Sequence, residues 1–398
     1  MEFFYRCSEC GRTFDISPDL MLCPHCSTKQ KRGEPLRGVL EVVFDDEPAN
    51  FIRTRSATDI FELLPVEKHY FADIPVGNTP LWSPARLRAE LGFKNLFLKD
   101  DTRNPTGSLK DRASYLVAAF ARKHGIENIA LASTGNAAAS MAGISAAFGL
   151  KVKIFIPKDA PREKAVQCLQ YGAELELVDG SYDDAYELAI TWSGQNACLN
   201  RNTAYNPLTI EGKKTAALEI FCELQNAPDY VFVPVGDGVI LAGIYKGFAD
   251  LLKLNLIGKI PTIYAVQAEN SDAIARAFNS GKFKKREVSL ETKTQKAKTT
   301  IADSISVAVP ANGYFALQLL KRFSGKCITV SDAEILLAQK ELASKTGLFA
   351  EPAAAAAFAG FKKSANKLAK DAVVVLLLTG TGLKDIKAAS ILTREKTG

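Results

Sequence analysis

Residues 128–156 run Asn128-Ile129-Ala130-Leu131-Ala132-Ser133-Thr134-Gly135-Asn136, then an alanine-rich stretch to Phe148, then Val152-Lys153-Ile154-Phe155-Ile156. The first five residues form a short apolar run that stops at a Ser-Thr-Gly turn, which predicts a buried strand. Ala137 to Phe148 has the length and the alanine content of a helix, and the β-branched run after it predicts a second strand. Working outward, the alternation continues. A helix is predicted from Arg162 to Tyr171, a strand from Glu174 to Val178 and a helix from Tyr182 to Trp192. Strands follow at Tyr230 to Val233, Thr262 to Gln267 and Ala372 to Leu378, and one precedes at Asn95 to Lys99. Strands alternating with helices predict an α/β chain with parallel sheets covered on both faces. In such sheets ligands sit beyond the carboxyl ends of the strands. The turns just after the strands are therefore where chemistry is sought.

At 398 residues, 47% hydrophobic and 24% charged, the chain exceeds the roughly 250–300 residues at which a single core stops growing. Two α/β domains plus a small module are expected. No stretch approaches the roughly 20 apolar residues of a membrane helix. The start, Met1 to Arg6, lacks a basic segment followed by an apolar run, so a cytoplasmic location is expected. The net charge of +6 comes from scattered lysines and from Lys282 to Lys298, a stretch read as a solvated loop or helix end. It supports a mild preference for anions and no nucleic-acid partner.

Four of the eight cysteines form two C-x2-C knuckles, Cys7/Cys10 and Cys23/Cys26, separated by 12 residues. This spacing is that of a zinc ribbon: each knuckle aims two thiolates at one ion, and four close a tetrahedral site with no open position. The zinc is expected to be structural; free or paired thiols are the alternative. Cys168, Cys198, Cys222 and Cys327 are dispersed and read as ordinary thiols of a reducing compartment. Leu36 to Phe44 alternates well enough to be a strand.

Three turns carry the chemistry. Asn104-Pro105-Thr106-Gly107-Ser108-Leu109-Lys110-Asp111-Arg112 places Lys110 in the first turn of a helix. There the positive end of the helix dipole opposes its charge and favours the neutral amine that Schiff-base chemistry requires. As a bland alternative, Lys110 is a surface lysine at an exposed helix start. Ser133-Thr134-Gly135-Asn136 offers hydroxyls, an amide and free N–H groups at the start of a helix, a natural anion cradle. Val235-Gly236-Asp237-Gly238-Val239 has the strand, glycine turn, helix order of a phosphate loop. Asp237 puts a carboxylate beside the proposed dianion, tolerable where the side chain turns away or caps the helix.

Together these residues resemble the fold-type-II pyridoxal-phosphate (PLP) enzymes of the tryptophan synthase β-like fold, and among them the threonine synthases. The lysine segment 104–112, the Ser133–Asn136 loop, Thr379-Gly380-Thr381-Gly382-Leu383-Lys384-Asp385 and the Glu-Pro helix start Phe349-Ala350-Glu351-Pro352-Ala353 carry the resemblance, which spans essentially the whole chain. The zinc ribbon with Pro35-Leu36-Arg37-Gly38-Val39-Leu40 fits a long bacterial or archaeal branch. The resemblance implies two parallel-sheet α/β domains plus an N-terminal zinc ribbon. The ribbon would occupy residues 1–35, a large PLP-binding domain 36–113 and 200–398, and a small mobile domain 114–199.

It also implies roles. Lys110 is the catalytic lysine that carries PLP. Asn136 bonds the pyridine hydroxyl, Gly236, Asp237, Gly238 and Val239 bind the phosphate through main-chain N–H groups, and Thr379 offers a neutral hydroxyl to the ring nitrogen. Substrate binding falls to Ser133, Thr134 and Gly135. The implied reaction converts O-phospho-L-homoserine and water to L-threonine and phosphate, in a protein expected to be a homodimer. One departure matters: where many family members have Asn-Pro-x-Arg, this chain has Asn206-Pro207-Leu208-Thr209. Arg201 is the expected replacement as ligand of the substrate phosphate, with Lys213 and Lys214 behind it. The missing arginine keeps a related β-replacement or elimination enzyme in play, for instance one acting on O-phospho-L-serine.

Overall fold

The computed structural model describes residues 1–31, 33–159, 162–281 and 300–392. The basic stretch Lys282 to Lys298 lies outside them. The strands run in chain order β1 (Phe3–Cys7), β2 (Thr13–Asp15), β3 (Leu40–Phe44), β4 (Leu81–Trp82), β5 (Leu96–Asp100), β6 (Asn128–Ala132), β7 (Lys151–Pro157), β8 (Glu174–Val178), β9 (Cys198–Asn200), β10 (Tyr230–Pro234), β11 (Thr262–Ala268), β12 (Lys326–Val330) and β13 (Val374–Leu378).

The chain divides into two compact units. The first comprises Met1–Gln30, Leu36–Asn78 and Asn104–Thr215; the second comprises Lys31–Pro35, Thr79–Arg103 and Ala216–Gly398. Residues 36–78, 104–113 and 200–215 thus group with 114–199, where the sequence had suggested grouping them with the rest of the larger domain.

The first unit holds a parallel sheet in the order β8-β7-β6-β9. Strand β6 shows why the opening stretch folds as it does. Ile129 and Leu131 enter one core with Ile154, Val117, Phe120, Met141 and Ile144, while Ala130 and Ala132 enter another with Phe155, Ala185 and Ala189. Both faces of the strand are buried, so its apolar run is continuous, with bulk on one side and alanine on the other. The helix Tyr182–Gln195 packs on the alanine face, against β6, β7 and β9. Its entry is fixed by Ser181, whose hydroxyl accepts from the Asp184 N–H while Asp184 accepts from the Ser181 N–H at 2.8 Å, a capping box.

A second, antiparallel sheet in the same unit, in the order β2-β1-β3, carries the cysteine knuckles. The predicted strand at Leu36 to Phe44 shortens to β3, which pairs with β1 in the register Tyr5 opposite Val42. Tyr5, Cys7, Met21, Cys23, Leu40 and Val42 belong to the same core as Val117 and Leu208. The knuckles are therefore built into the unit rather than appended to it.

The second unit holds a six-stranded sheet in the order β12-β11-β10-β13-β5-β4. It is parallel except at its edge, where the two-residue β4 runs antiparallel to β5. Strand β12 was not read from the sequence, although Ser331 and Glu334 right after it form the capping box of the helix Asp332–Thr346. The helix Pro352–Ser364 covers β10, β11 and β13 with Ala353 to Ala357, nearly all wholly buried. Small side chains let the helix sit close to the sheet: a Cβ on Gly360 would collide with Val266. Because β10, β13 and β5 are parallel neighbours, the turns after all three leave from the same edge of this sheet.

Candidate active site

Lys110 is the first residue of the helix Lys110–Lys123, with Leu109 at the N-cap and no capping side chain. The loop before it is held by its own polar groups. Thr106 donates its N–H to Asp111 Oδ2 at 2.7 Å, and the Asn104 side chain accepts from the Gly77 N–H at 3.0 Å. Gly107 takes φ of +85° and donates to the Asn104 carbonyl at 2.8 Å, a left-handed turn that glycine enters without strain. Asp111 thereby braces the loop, while Lys110 remains half-buried at the positive end of a helix of 14 residues.

The turn after β6 is capped by a hydroxyl. Ser133 Oγ accepts from the N–H groups of Gly135 at 3.2 Å and Ala138 at 3.3 Å, satisfying donors the helix Asn136–Phe148 leaves over. Ser133 and Asn136 are buried; Thr134 and Gly135 are half-buried. Strand β9 runs parallel beside β6 and brings Arg201 and Asn202 to the same edge. The Arg201 N–H donates to the Ala130 carbonyl at 2.8 Å, and Asn202 Oδ1 accepts from the Ala132 N–H at 2.7 Å. Arg201 is 1% exposed, so it is not a surface arginine. Its Nε donates to Ser114 Oγ at 3.3 Å, and Ser140 donates to the same oxygen at 2.7 Å.

Thr209 is wholly buried and serves the loop. Its hydroxyl donates to the Asn206 carbonyl at 2.7 Å and accepts from the Ala204 N–H at 3.3 Å. Lys213 and Lys214 are also buried, and Lys214 pairs with Glu211 and lies 5.8 Å from the Phe44 ring centroid. Those lysines lie inside the unit that carries the knuckles. Tyr5 of β1 borders the same group: burial, and then the Glu211 carboxylate, push its phenol well above the ordinary tyrosine range.

In the second unit, the turn after β10 is glycine where the packing demands it. A Cβ on Gly236 would stand 2.9 Å from Ile305 Cα, and one on Gly238 would stand 2.8 Å from Ala316 Cβ. Gly238 also takes φ of +88° and is the N-cap of the helix Val239–Lys253. The Asp237 carboxylate turns back and accepts from the Val239 N–H at 2.9 Å, so it caps its own helix, which is one of the two arrangements that make a carboxylate tolerable there. Asn312 fixes the turn from behind, donating its N–H to the Asp237 carbonyl at 2.9 Å and its side-chain amide to the Gly238 carbonyl at 3.1 Å. Thr379, buried, is the first residue after β13. Main-chain donors in a glycine turn at the start of a helix of 15 residues, one of them held by the Asp237 carboxylate, fit a phosphate ester. The half-buried Lys110 at a helix start fits an aldehyde.

The thiol sulfurs of Cys7, Cys10, Cys23 and Cys26 all lie within 4.8 Å of one another. Each knuckle closes through its backbone: the Gly11 N–H reaches the Cys7 carbonyl and the Ser27 N–H the Cys23 carbonyl, both at 3.0 Å. Gly38, at φ of +71°, lies against both cysteines of the second knuckle, so that a Cβ there would stand 3.0 Å from the Cys23 Cβ and 3.1 Å from that of Cys26. Glu9, inside the first knuckle, pairs with Arg37 at 2.8 Å. Four sulfurs at this separation match a tetrahedral zinc donor set. Among the described residues no helix is long and apolar enough to cross a membrane.

Ser114 and Ser140 were not singled out from the sequence. Each stands four residues after a residue that was, Ser114 after Lys110 and Ser140 after Asn136, on the same helix face one turn further in. That spacing was a usable signal.

The fold and these turns define a PLP-dependent lyase, and the comparisons agree: the profile of the pyridoxal-phosphate dependent enzymes covers residues 73–380. A threonine synthase of Methanocaldococcus jannaschii is 34% identical over 96% of this chain and 93% of its own. One of Methanosarcina acetivorans is 32% identical over 99% and 95%. In fold, the chain is similar to threonine deaminase isoform 2 of Solanum lycopersicum, with a TM-score of 0.69 at 20% identity over 89% of this chain and 95% of that one. The chain belongs to the threonine synthase family of pyridoxal-phosphate dependent enzymes.

Proposed function

We propose that the protein converts O-phospho-L-homoserine and water to L-threonine and phosphate. The observation that carries this reading is Lys110 at an uncapped helix start, on a chain similar throughout to threonine synthases. In the reaction the Cγ–O bond breaks and phosphate leaves with its electrons. Water then adds its oxygen to Cβ, and Cγ gains a proton.

PLP, when bound, supplies the electron sink that makes the bonds at Cα and Cβ labile. Lys110 is the attachment point for its aldehyde and, once released, moves protons at Cα and Cβ. Asn136 would donate to the pyridine hydroxyl, and the N–H groups of Gly236, Asp237, Gly238 and Val239 would receive the cofactor phosphate. Thr379 would meet the ring nitrogen as a neutral partner. Ser133, Thr134 and Gly135 receive the substrate carboxylate. Arg201, buried beside β6, would act on the departing phosphate through its charge in a poorly screened interior. A single zinc held by Cys7, Cys10, Cys23 and Cys26 braces the sheet of β1 to β3, and the working protein is a cytoplasmic homodimer.

One observation favours a second reading. Thr209 is committed to its own loop and does not stand in for an arginine, as an enzyme acting on O-phospho-L-serine would allow. Parallel assays separate the two. The PLP-loaded protein should release phosphate and threonine in equal amounts from O-phospho-L-homoserine and give no product from O-phospho-L-serine with sulfite; the reverse result overturns the proposal. Lys110→Ala should lower turnover by about a thousandfold or more and remove the borohydride-reducible yellow colour. Metal analysis should find zinc in the purified protein, and its removal by chelator should lower the melting temperature.

A further inference from the structure

The helix Pro352–Ser364 has a carboxylate, Glu351, at its N-cap, and that carboxylate does not cap the helix. Glu351 is 3% exposed. An acidic side chain buried at the positive end of a helix ordinarily spends itself on the helix's own free N–H groups. This one reaches two other segments. Its Oε1 lies flat on Gly380, where any Cβ would collide with it, and its Oε2 accepts from Ser304 Oγ at 3.1 Å. The backbone repeats the link to the first segment: the Glu351 N–H donates to the Gly380 carbonyl at 2.9 Å, and Ala350 forms an antiparallel bridge with Thr381. Gly380 is not held at positive φ; it is glycine because the carboxylate occupies the space of a side chain.

Both segments lead to residues given cofactor roles above. Gly380 directly follows Thr379. Ser304 belongs to the short helix Asp303–Ile305, and Ile305 is the residue whose Cα packs on Gly236. That short helix is pinned in turn by Ser271, whose hydroxyl donates to the Ile305 carbonyl at 3.1 Å and accepts from the Val307 N–H at 2.9 Å. A single buried carboxylate thus joins the turn after β13 to the backing of the turn after β10.

We infer that Glu351 is a positioning residue that sets the Thr379 turn and the Gly236 turn at a fixed separation, so that ring nitrogen and phosphate of one PLP molecule are met together. The inference rests on the reading of Thr379 and Gly236 as cofactor ligands. It assigns Glu351 no contact with substrate or cofactor.

The test is PLP titration of the purified full chain, followed by the visible spectrum and scored beside the melting temperature. Glu351→Ala should weaken PLP binding about tenfold, and Ser304→Ala, which trims one surface hydroxyl, about threefold. Both should shift the spectrum of the bound cofactor. Glu351→Gln keeps the shape and the acceptor for Ser304 and should recover most of the affinity. Asp250→Asn, which breaks a buried pair with Lys246 in the same unit, is the control and should lower the melting temperature with PLP affinity unchanged. Wild-type affinity and spectrum in Ser304→Ala would overturn the inference even where Glu351→Ala fails to fold, as would an equal loss of PLP in Asp250→Asn. A wild-type chain that takes up no PLP would instead overturn the cofactor reading itself.

Discussion

Two turns, one in each unit, follow a strand and open a helix, and they differ in the charge of the capping side chain and in the space left at their glycines. After β6, the neutral hydroxyl of Ser133 accepts from the N–H groups of Gly135 and Ala138, and no side chain is excluded by packing at Gly135, where a Cβ would meet nothing within 4 Å. After β10, the Asp237 carboxylate caps the helix start and packing leaves no room for a side chain at either glycine. Gly236 is pressed against Ile305, Gly238 against Ala316, and Asn312 ties the turn from behind. The first turn leaves open space at Gly135, which suits a substrate that must come and go. The second presents fixed main-chain donors, which suits a phosphate held through every turnover.

The contrast can be broken most forcefully at Gly238. Alanine there meets both a left-handed backbone and the Ala316 side chain, a strain of about 1–3 kcal/mol. PLP affinity measured by titration should fall about ten- to hundredfold; an unchanged affinity would mean that the turn does not hold the cofactor. Ser133→Ala should act differently. Losing the cap costs about 1 kcal/mol, a drop of roughly 2–4 °C in melting temperature for a unit of this size. The KM for substrate should rise severalfold while PLP binding stays intact. The smallest effect is expected at Asp237, whose carboxylate holds the Val239 N–H against an incoming anion. Asp237→Asn should tighten PLP binding about threefold, the scale of a half-exposed charge, and weaker binding would show that the cap matters more than the charge.

What the sequence could disclose follows from the same physics. Strands buried on both faces, such as β6 and β10, announce themselves as short apolar runs, and the turns after them are marked by glycine and hydroxyl residues, so the α/β class and the positions of Lys110, Ser133 and Gly236 were readable. Family resemblance added Thr379. Strand β12, with the pattern Lys326-Cys327-Ile328-Thr329-Val330, is only half-buried at a sheet edge and carried too weak an alternation to be read. The two residues of β4 are too few for any periodicity. Arg201 was ambiguous because nothing local distinguishes a buried arginine from an exposed one; its burial depends on Ser114, 87 positions away. The grouping of 36–78 with 104–215 was hidden for a related reason: it arises from packing of the knuckle sheet into the core of the Lys110–Lys123 helix. The link through Glu351 depends likewise on contacts far apart in the chain.

In the proposed reaction the phosphate leaves by elimination and water supplies the new hydroxyl. Turnover of O-phospho-L-homoserine by the PLP-loaded protein in heavy-oxygen water tests it directly, with both products examined by mass spectrometry. One solvent oxygen is expected in the threonine hydroxyl and none in the released phosphate. Solvent oxygen in the phosphate, or phosphate released without threonine, would contradict it.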